Sequence, residues 1–274
     1  MQTNGDDRRP ANLACQLDSV SVRYRQFTAL TDVSLRIAEG ETVAIVGPSG
    51  AGKTSLLRLL SGMLRQVSGS VFIFGRPLAA MDHRRELPLL VGMMQQRFDL
   101  VPQLSVRNNV EAGMLGQWNL LRTVAGLFLS VRHPGAAEAI RRVGLEGRGN
   151  DRVSRLSGGE QQRVALARVL TQAPRIILAD EPVASLDPEL ADDLLSLLRQ
   201  IADEQGRTVI ASLHVPEMAR RHFDRVIGLR HGTITFDVPA SELREEQLRD
   251  LYSRAPVARE VHAGRRERQR ALDT

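Results

Sequence analysis

Gly47-Pro48-Ser49-Gly50-Ala51-Gly52-Lys53-Thr54 is the stretch that decides the fold. It fits G-x-x-x-x-G-K-[ST], a loop whose backbone N–H groups close around phosphate. The apolar run Thr42-Val43-Ala44-Ile45-Val46 precedes it, and Ser55-Leu56-Leu57-Arg58-Leu59-Leu60 follows. The first reads as a buried strand and the second as a helix. Between them the glycines let successive N–H groups point inward as an anion nest, and the helix N-terminus adds its dipole. Lys53 is the only lysine in 274 residues; the other 36 of 37 basic residues are arginine. A compact ammonium on a thin stem fits between the β- and γ-phosphates, where a planar guanidinium is too wide. The Thr54 hydroxyl is a natural Mg²⁺ ligand. Nucleotide binding through Gly47 to Ser55 is therefore expected.

Composition bounds the rest. Hydrophobic residues at 42% and charged residues at 25% are ordinary for a globular chain of this length, which can bury one full core with room for a subdomain. A single Cys15 excludes an internal disulfide and fits a reducing compartment. Residues 1–10 are polar and carry acids, unlike a signal peptide. The best candidate for a membrane span, 118–131, is too short and contains Arg122. A cytoplasmic protein with at most a peripheral membrane role is expected. The net charge is +5, but the arginines are scattered and form a dense run only at 264–270. With 4% aromatics there is little to stack on bases, so no nucleic-acid partner is expected. The arginine-rich end reads as a solvated, disordered tail.

Along the chain, residues 1–13 form a polar lead. Residues 17–24 and 29–37 alternate like strands of an antiparallel sheet, and 70–75 reads as another strand. From about 104 to 145 the pattern is helical and punctuated, at 106–113, 120–130 and 135–143. That reads as an inserted helical subdomain, whose full extent is about 97–172. Beyond it, apolar strands at 175–180 and 208–213 flank a helix. There Leu190, Leu194, Leu197 and Ile201 recur at helical spacing as a core face. Strand–helix alternation around a phosphate loop predicts an α/β fold with a parallel sheet and the ligand at the strand C-termini.

A second motif is Leu156-Ser157-Gly158-Gly159-Glu160-Gln161-Gln162-Arg163, opening a helix over 160–170. Ser157 suits an N-cap, and the turn suits a second phosphate-binding helix start. One nucleotide does not need two such termini within one chain. A dimer in which each subunit lends this turn to its partner's nucleotide satisfies both.

With both motifs placed, the chain resembles the ATP-binding subunits of ABC transporters over about residues 15–254. The resemblance implies a RecA-like parallel-sheet core, an N-terminal antiparallel β subdomain and an inserted α-helical subdomain, forming one ATPase domain at 14–254 and leaving 255–274 as the tail. It implies ATP and Mg²⁺ as ligands, the metal held by Thr54, Gln96 and, through water, Asp180. Glu181 corresponds to the general base, His214 to the histidine at the γ-phosphate, and Gln96 to the glutamine that touches the metal and the attacking water. Ser157, Gly158, Gly159 and Glu160 match the signature turn that meets the partner's ATP. Asp187, in Ser185-Leu186-Asp187, matches the D-loop that couples the two sites. Tyr24 stands at the distance expected of an aromatic stacking on adenine. Gln95 stands where the family favours an aromatic, and Leu213 where threonine is commoner.

The implied partners are a second copy of the chain, two transmembrane permease subunits and a periplasmic or extracellular substrate-binding protein, at the cytoplasmic face of the inner membrane. Phe98-Asp99-Leu100-Val101-Pro102-Gln103, Asn109-Val110-Glu111-Ala112-Gly113-Met114 and Leu251-Tyr252 resemble the phosphonate-importer branch of the family, although Val238 stands where glycine is usual. The competing expectations are the same engine serving phosphate-like anions, amino acids or metals, an exporter, and a soluble ABC ATPase. The last normally has two cassettes or a long coiled-coil insertion, and this chain has one cassette and no such insertion.

Overall fold

The computed structural model describes residues 12–24, 27–95, 99–117 and 134–253. Its strands are β1 (Leu13–Tyr24), β2 (Phe27–Ala38), β3 (Thr42–Val46), β4 (Ser68–Ile73), β5 (Arg76–Pro77), β6 (Val91–Met94), β7 (Ile176–Asp180), β8 (Thr208–Leu213), β9 (Arg225–Arg230) and β10 (Thr233–Pro239). Its helices are α1 (Lys53–Leu60), α2 (Leu87–Leu90), α3 (Val106–Glu111), α4 (Pro134–Arg142), α5 (Gly158–Thr171), α6 (Pro188–Gln205), α7 (Pro216–His222) and α8 (Glu245–Tyr252).

Six strands form one sheet in the order β10-β9-β3-β8-β7-β6, parallel throughout except that β10 runs antiparallel to β9. The inner strands β3, β7 and β8 are buried along their whole length, which is why their sequences are nearly continuous apolar runs. Successive side chains still point to opposite sides. Val43, Ile45, Ile176, Leu178, Ile210 and Ile227 join the core that contains α1, β1, β2 and β4. Ala44, Val46, Ile177, Ala179, Val209 and Ala211 join the core that contains α3 to α8. Ile45, Leu56 and Ile176 are fully buried, each contributing about 2 kcal/mol of hydrophobic stabilisation.

The second sheet, β2-β1-β4-β5, is antiparallel, as the alternation at 17–24 and 29–37 predicts. Both strands begin earlier than the alternation does, at Leu13 and Phe27. The strand expected at 70–75 runs from Ser68 to Ile73. Its extra start includes Gly69, at φ 81°, where a Cβ would stand 2.4 Å from the Ser19 carbonyl oxygen. Glycine is what lets β4 approach β1 that closely.

Other elements depart from expectation. The helix expected at 106–113 ends at Glu111 and continues as a tighter 3₁₀ turn over Ala112–Gln117. The helix expected at 135–143 is α4, and the one expected at 120–130 lies outside the described residues. Leu190 does not belong to the buried stripe of α6: it is 39% exposed, and the core face is Ala191, Leu194, Leu195, Leu198 and Ile201. The polar lead and the arginine-rich tail also lie outside the described residues, apart from positions 12 and 13. No described helix is long and apolar enough to cross a membrane.

Candidate nucleotide site

Because β3, β8 and β7 are neighbours and parallel, their C-terminal ends deliver three loops to one edge of the sheet. The phosphate loop leaves β3, His214 follows β8, and Glu181 follows β7. A Cβ on Gly47 would lie 2.0 Å from the Leu229 carbonyl oxygen, and one on Gly52, at φ 107°, would lie 2.6 Å from that of Ala29. Only glycine fits at either position, and both hold the loop against β9 and β2. The loop closes on itself through Ala51 N to Pro48 O at 3.1 Å, and the Gly232 N–H donates to Ala51 O at 2.9 Å. Ser49 and Gly50 form its exposed tip, and Ser55 lies half-buried in the first turn of α1.

The Lys53 side chain is 5% exposed. Its ammonium folds back over the loop and donates to the carbonyls of Gly47 at 2.8 Å and Pro48 at 3.3 Å. Burial holds its pKa below the ordinary lysine value, while the carboxylates of Glu181 and Asp180 pull it upward.

A hydrogen-bonded row crosses the edge beside it. Thr54 Oγ1 donates to Asp180 Oδ1 at 3.0 Å. Ser212 Oγ donates to the same oxygen at 2.8 Å and accepts from the Glu181 N–H at 2.8 Å. Glu181 has φ 51°, the left-handed region, and its Oε1 lies 2.5 Å from His214 Nε2. The strain of that backbone is held by the Ser212 bond and the pairing of Asp180 with Ser212 just before it. An alcohol and a carboxylate oxygen 3.0 Å apart form the hard-oxygen set that Mg²⁺ takes from a protein when phosphate and water supply the remaining ligands.

Ser212 is the residue that sequence reasoning did not single out as part of the site. It is fully buried and pairs in register with Asp180 across β7 and β8. Its signal was present: a lone hydroxyl in an otherwise apolar inner run, two positions before His214.

Ser157 caps α5. Its Oγ accepts from the Glu160 N–H at 3.3 Å, and Glu160 Oε2 accepts from the Ser157 N–H at 2.9 Å, a reciprocal capping box. Arg148 bonds Glu160 at 2.6 Å and, with the Ser157 amide, holds that carboxyl below the usual carboxylate range. A Cβ on Gly158 would meet open space. Among the described residues no hydrogen bond joins this turn to the phosphate loop. Asp187 caps α6, accepting from the Leu190 N–H at 3.0 Å. Tyr24 ends β1 directly opposite Phe27, and both rings are exposed. Gln96 lies outside the described residues; Gln95 precedes it, half-buried.

A central parallel sheet, a phosphate loop on its middle strand and an acidic pair on the next strand but one define a phosphate-loop nucleotide-binding cassette. A family model described as ABC transporter matches residues 30–184, and the chain belongs to that family. It is 43% identical over 250 residues to the phosphonates import ATP-binding protein PhnC of Pseudomonas putida, covering 90% of this chain and 93% of that one. It is 45% identical over 227 residues to PhnC 2 of Pseudomonas aeruginosa, covering 82% and 85%. Among solved structures it is similar to a dimeric ATP-binding cassette in a post-hydrolysis state bound to ADP and Pi. That match has 31% identity and a TM-score of 0.71, over 82% of this chain and 98% of the other. CbiO1 of Clostridium perfringens, part of an ABC transporter complex, shares the fold with a TM-score of 0.71 at 23% identity, over 96% of this chain and 100% of that one.

Proposed function

We propose that this chain is the ATP-hydrolysing subunit of an ABC importer for phosphonates. The hydrolytic part rests on one observation, the row Thr54–Asp180–Ser212–Glu181–His214 beside the phosphate loop. The substrate class rests on similarity to the phosphonates import proteins over about nine-tenths of the chain.

The N–H groups of Gly50 to Ser55 cradle the β- and γ-phosphates, and the Lys53 ammonium leaves the Gly47 and Pro48 carbonyls to sit between them. Tyr24 stacks on the adenine. Thr54, Gln96 and, through water, Asp180 would hold Mg²⁺, which when bound would neutralise phosphate charge. Glu181 accepts the proton of the attacking water, an effect typically worth about 10²–10⁴-fold. His214 orients the Glu181 carboxylate and reaches the γ-phosphate. Two copies meet head to tail, so that Ser157, Gly158 and Gly159 of one contact the γ-phosphate held by the other, with Asp187 at the seam. ATP binding closes the pair and hydrolysis opens it. Two permease subunits carry that motion across the membrane, from whose cytoplasmic face the pair works, and a periplasmic or extracellular binding protein delivers the phosphonate.

The test is affinity purification of tagged Glu181→Gln protein from native membranes in Mg-ATP. We expect hydrolysis to fall at least about a hundredfold and an ATP-bound dimer to accumulate. A multi-spanning permease and a binding protein that takes phosphonates should accompany it. Recovery with ribosomes or DNA and no membrane protein would replace this reading with that of a soluble ATPase. A co-purifying binding protein that ignores phosphonates would reassign the cargo.

A further inference from the structure

We infer that Gln162 is a positioning residue that ties the start of α5 to the 182–187 segment of its own subunit, passing nucleotide occupancy from one paired site to the other. The inference rests on the head-to-tail pair proposed above. Gln162 is 1% exposed, and its Nε2 donates to Ser185 Oγ at 3.2 Å. Its Oε1 has no hydrogen-bond partner among the described residues. A buried amide whose carbonyl accepts no hydrogen bond is costly to keep, so a reason beyond packing is needed.

A second contact runs along the same line. Gly159 lies three positions earlier, on the same face of α5. A Cβ there would come within 3.3 Å of Leu186 Cδ2 and 3.4 Å of Leu190 Cδ1. The same segment bends directly away from Glu181, through Ala184 N to Glu181 O at 3.3 Å and Leu186 N to Val183 O at 3.2 Å. Gly158 faces open space while Gly159 and Gln162 face this turn. The start of α5 therefore has an outward side free to meet a partner's phosphates and an inward side resting on the backbone that carries its own general base. A pull on the outward side shifts Ser185 and, through one short turn, Glu181. The idle Oε1 is an acceptor available to the segment once it has moved.

The experiment measures hydrolysis against ATP concentration for the full chain. Its variants are Gln162→Leu, Ser185→Ala, the pair together, and Ser185→Thr as the conservative rescue. Two linked sites allow a Hill coefficient of up to about 2. We expect it to fall toward 1 in Gln162→Leu and in Ser185→Ala, with kcat down about fivefold and half-saturation little changed. The double variant should be no worse than either single one, because both break the same link. Ser185→Thr should restore the wild-type curve. Ser185 is exposed, so Ser185→Ala answers the question even where Gln162→Leu fails to fold. Unchanged cooperativity in Ser185→Ala, or additive losses in the double variant, would overturn the inference. The ATP-bound Glu181→Gln dimer separates the two levels. If it forms while cooperativity ignores Ser185, only the inference falls. If it never forms, the paired-site reading falls and takes the inference with it.

Discussion

Lys53 is the chain's single lysine and, in the function proposed above, the cation of the phosphate loop. Burial lowers its pKa, so at mildly alkaline pH a larger fraction is free amine than for an ordinary lysine. Phosphate charge placed against it acts in the opposite direction and raises the pKa. After the N-terminal amine is blocked, an amine-reactive reagent should modify one side chain. Mg-ATP should slow that reaction and move its pH profile upward. Labelling that ATP leaves unchanged would remove Lys53 from the nucleotide site. The place of this residue in a glycine-rich loop is legible in the sequence, because glycine spacing and a lone ammonium are local features. Ser212 was not, because its role exists only once β8 lies against β7.

At the scale of elements, the register of β7 and β8 builds the acidic part of the site. Asp180 pairs with Ser212, and the same hydroxyl bridges to the Glu181 amide. Ser212→Ala leaves a buried N–H and a buried carboxylate each short of a partner, a loss of about 1–3 kcal/mol, readable as a lower urea midpoint. Hydrolysis should fall more than ATP affinity, since Asp180 and Glu181 shift while the phosphate loop stays. Equal loss in both would place Ser212 in the fold alone. The sequence reveals β3, β7 and β8, whose apolar runs are long and flanked by turn signals. It does not reveal β6, which is four residues long, nor does its patterning isolate β9 and β10. Along β10, half-buried and exposed residues alternate, so it lacks the continuous apolar run of an inner strand. Leu190 lies off the buried stripe for a related reason: helical spacing marks a stripe but not its edges. The first turn of α6 faces the start of α5 instead of the sheet.

Across the whole molecule, two cores share one sheet, and Cys15 sits fully buried in the one built around β1 and α1. Burial pushes its thiol pKa up to about 12. At pH 8 the folded chain should resist alkylation, and Cys15 should react as the sheet opens, its midpoint matching unfolding followed by circular dichroism. Labelling ahead of that transition would show β1 opening separately from the rest. The stability linked to this thiol is complete below the unfolded value near 8.5. It is lost as pH rises toward 12, because only the unfolded chain releases the proton there.

The alternation that sorts side chains between the two cores also sets Asp180 opposite Ser212. A slip of one residue between β7 and β8 would turn Ile177 and Ala179 onto the wrong face while separating the acid from its serine. Misalignment of the groups proposed for hydrolysis would therefore also be a packing failure, visible to the cell's proteases as exposed apolar surface. One register therefore guards two things at once: a copy with these strands out of step would lose its apolar packing and its acid–serine pair together.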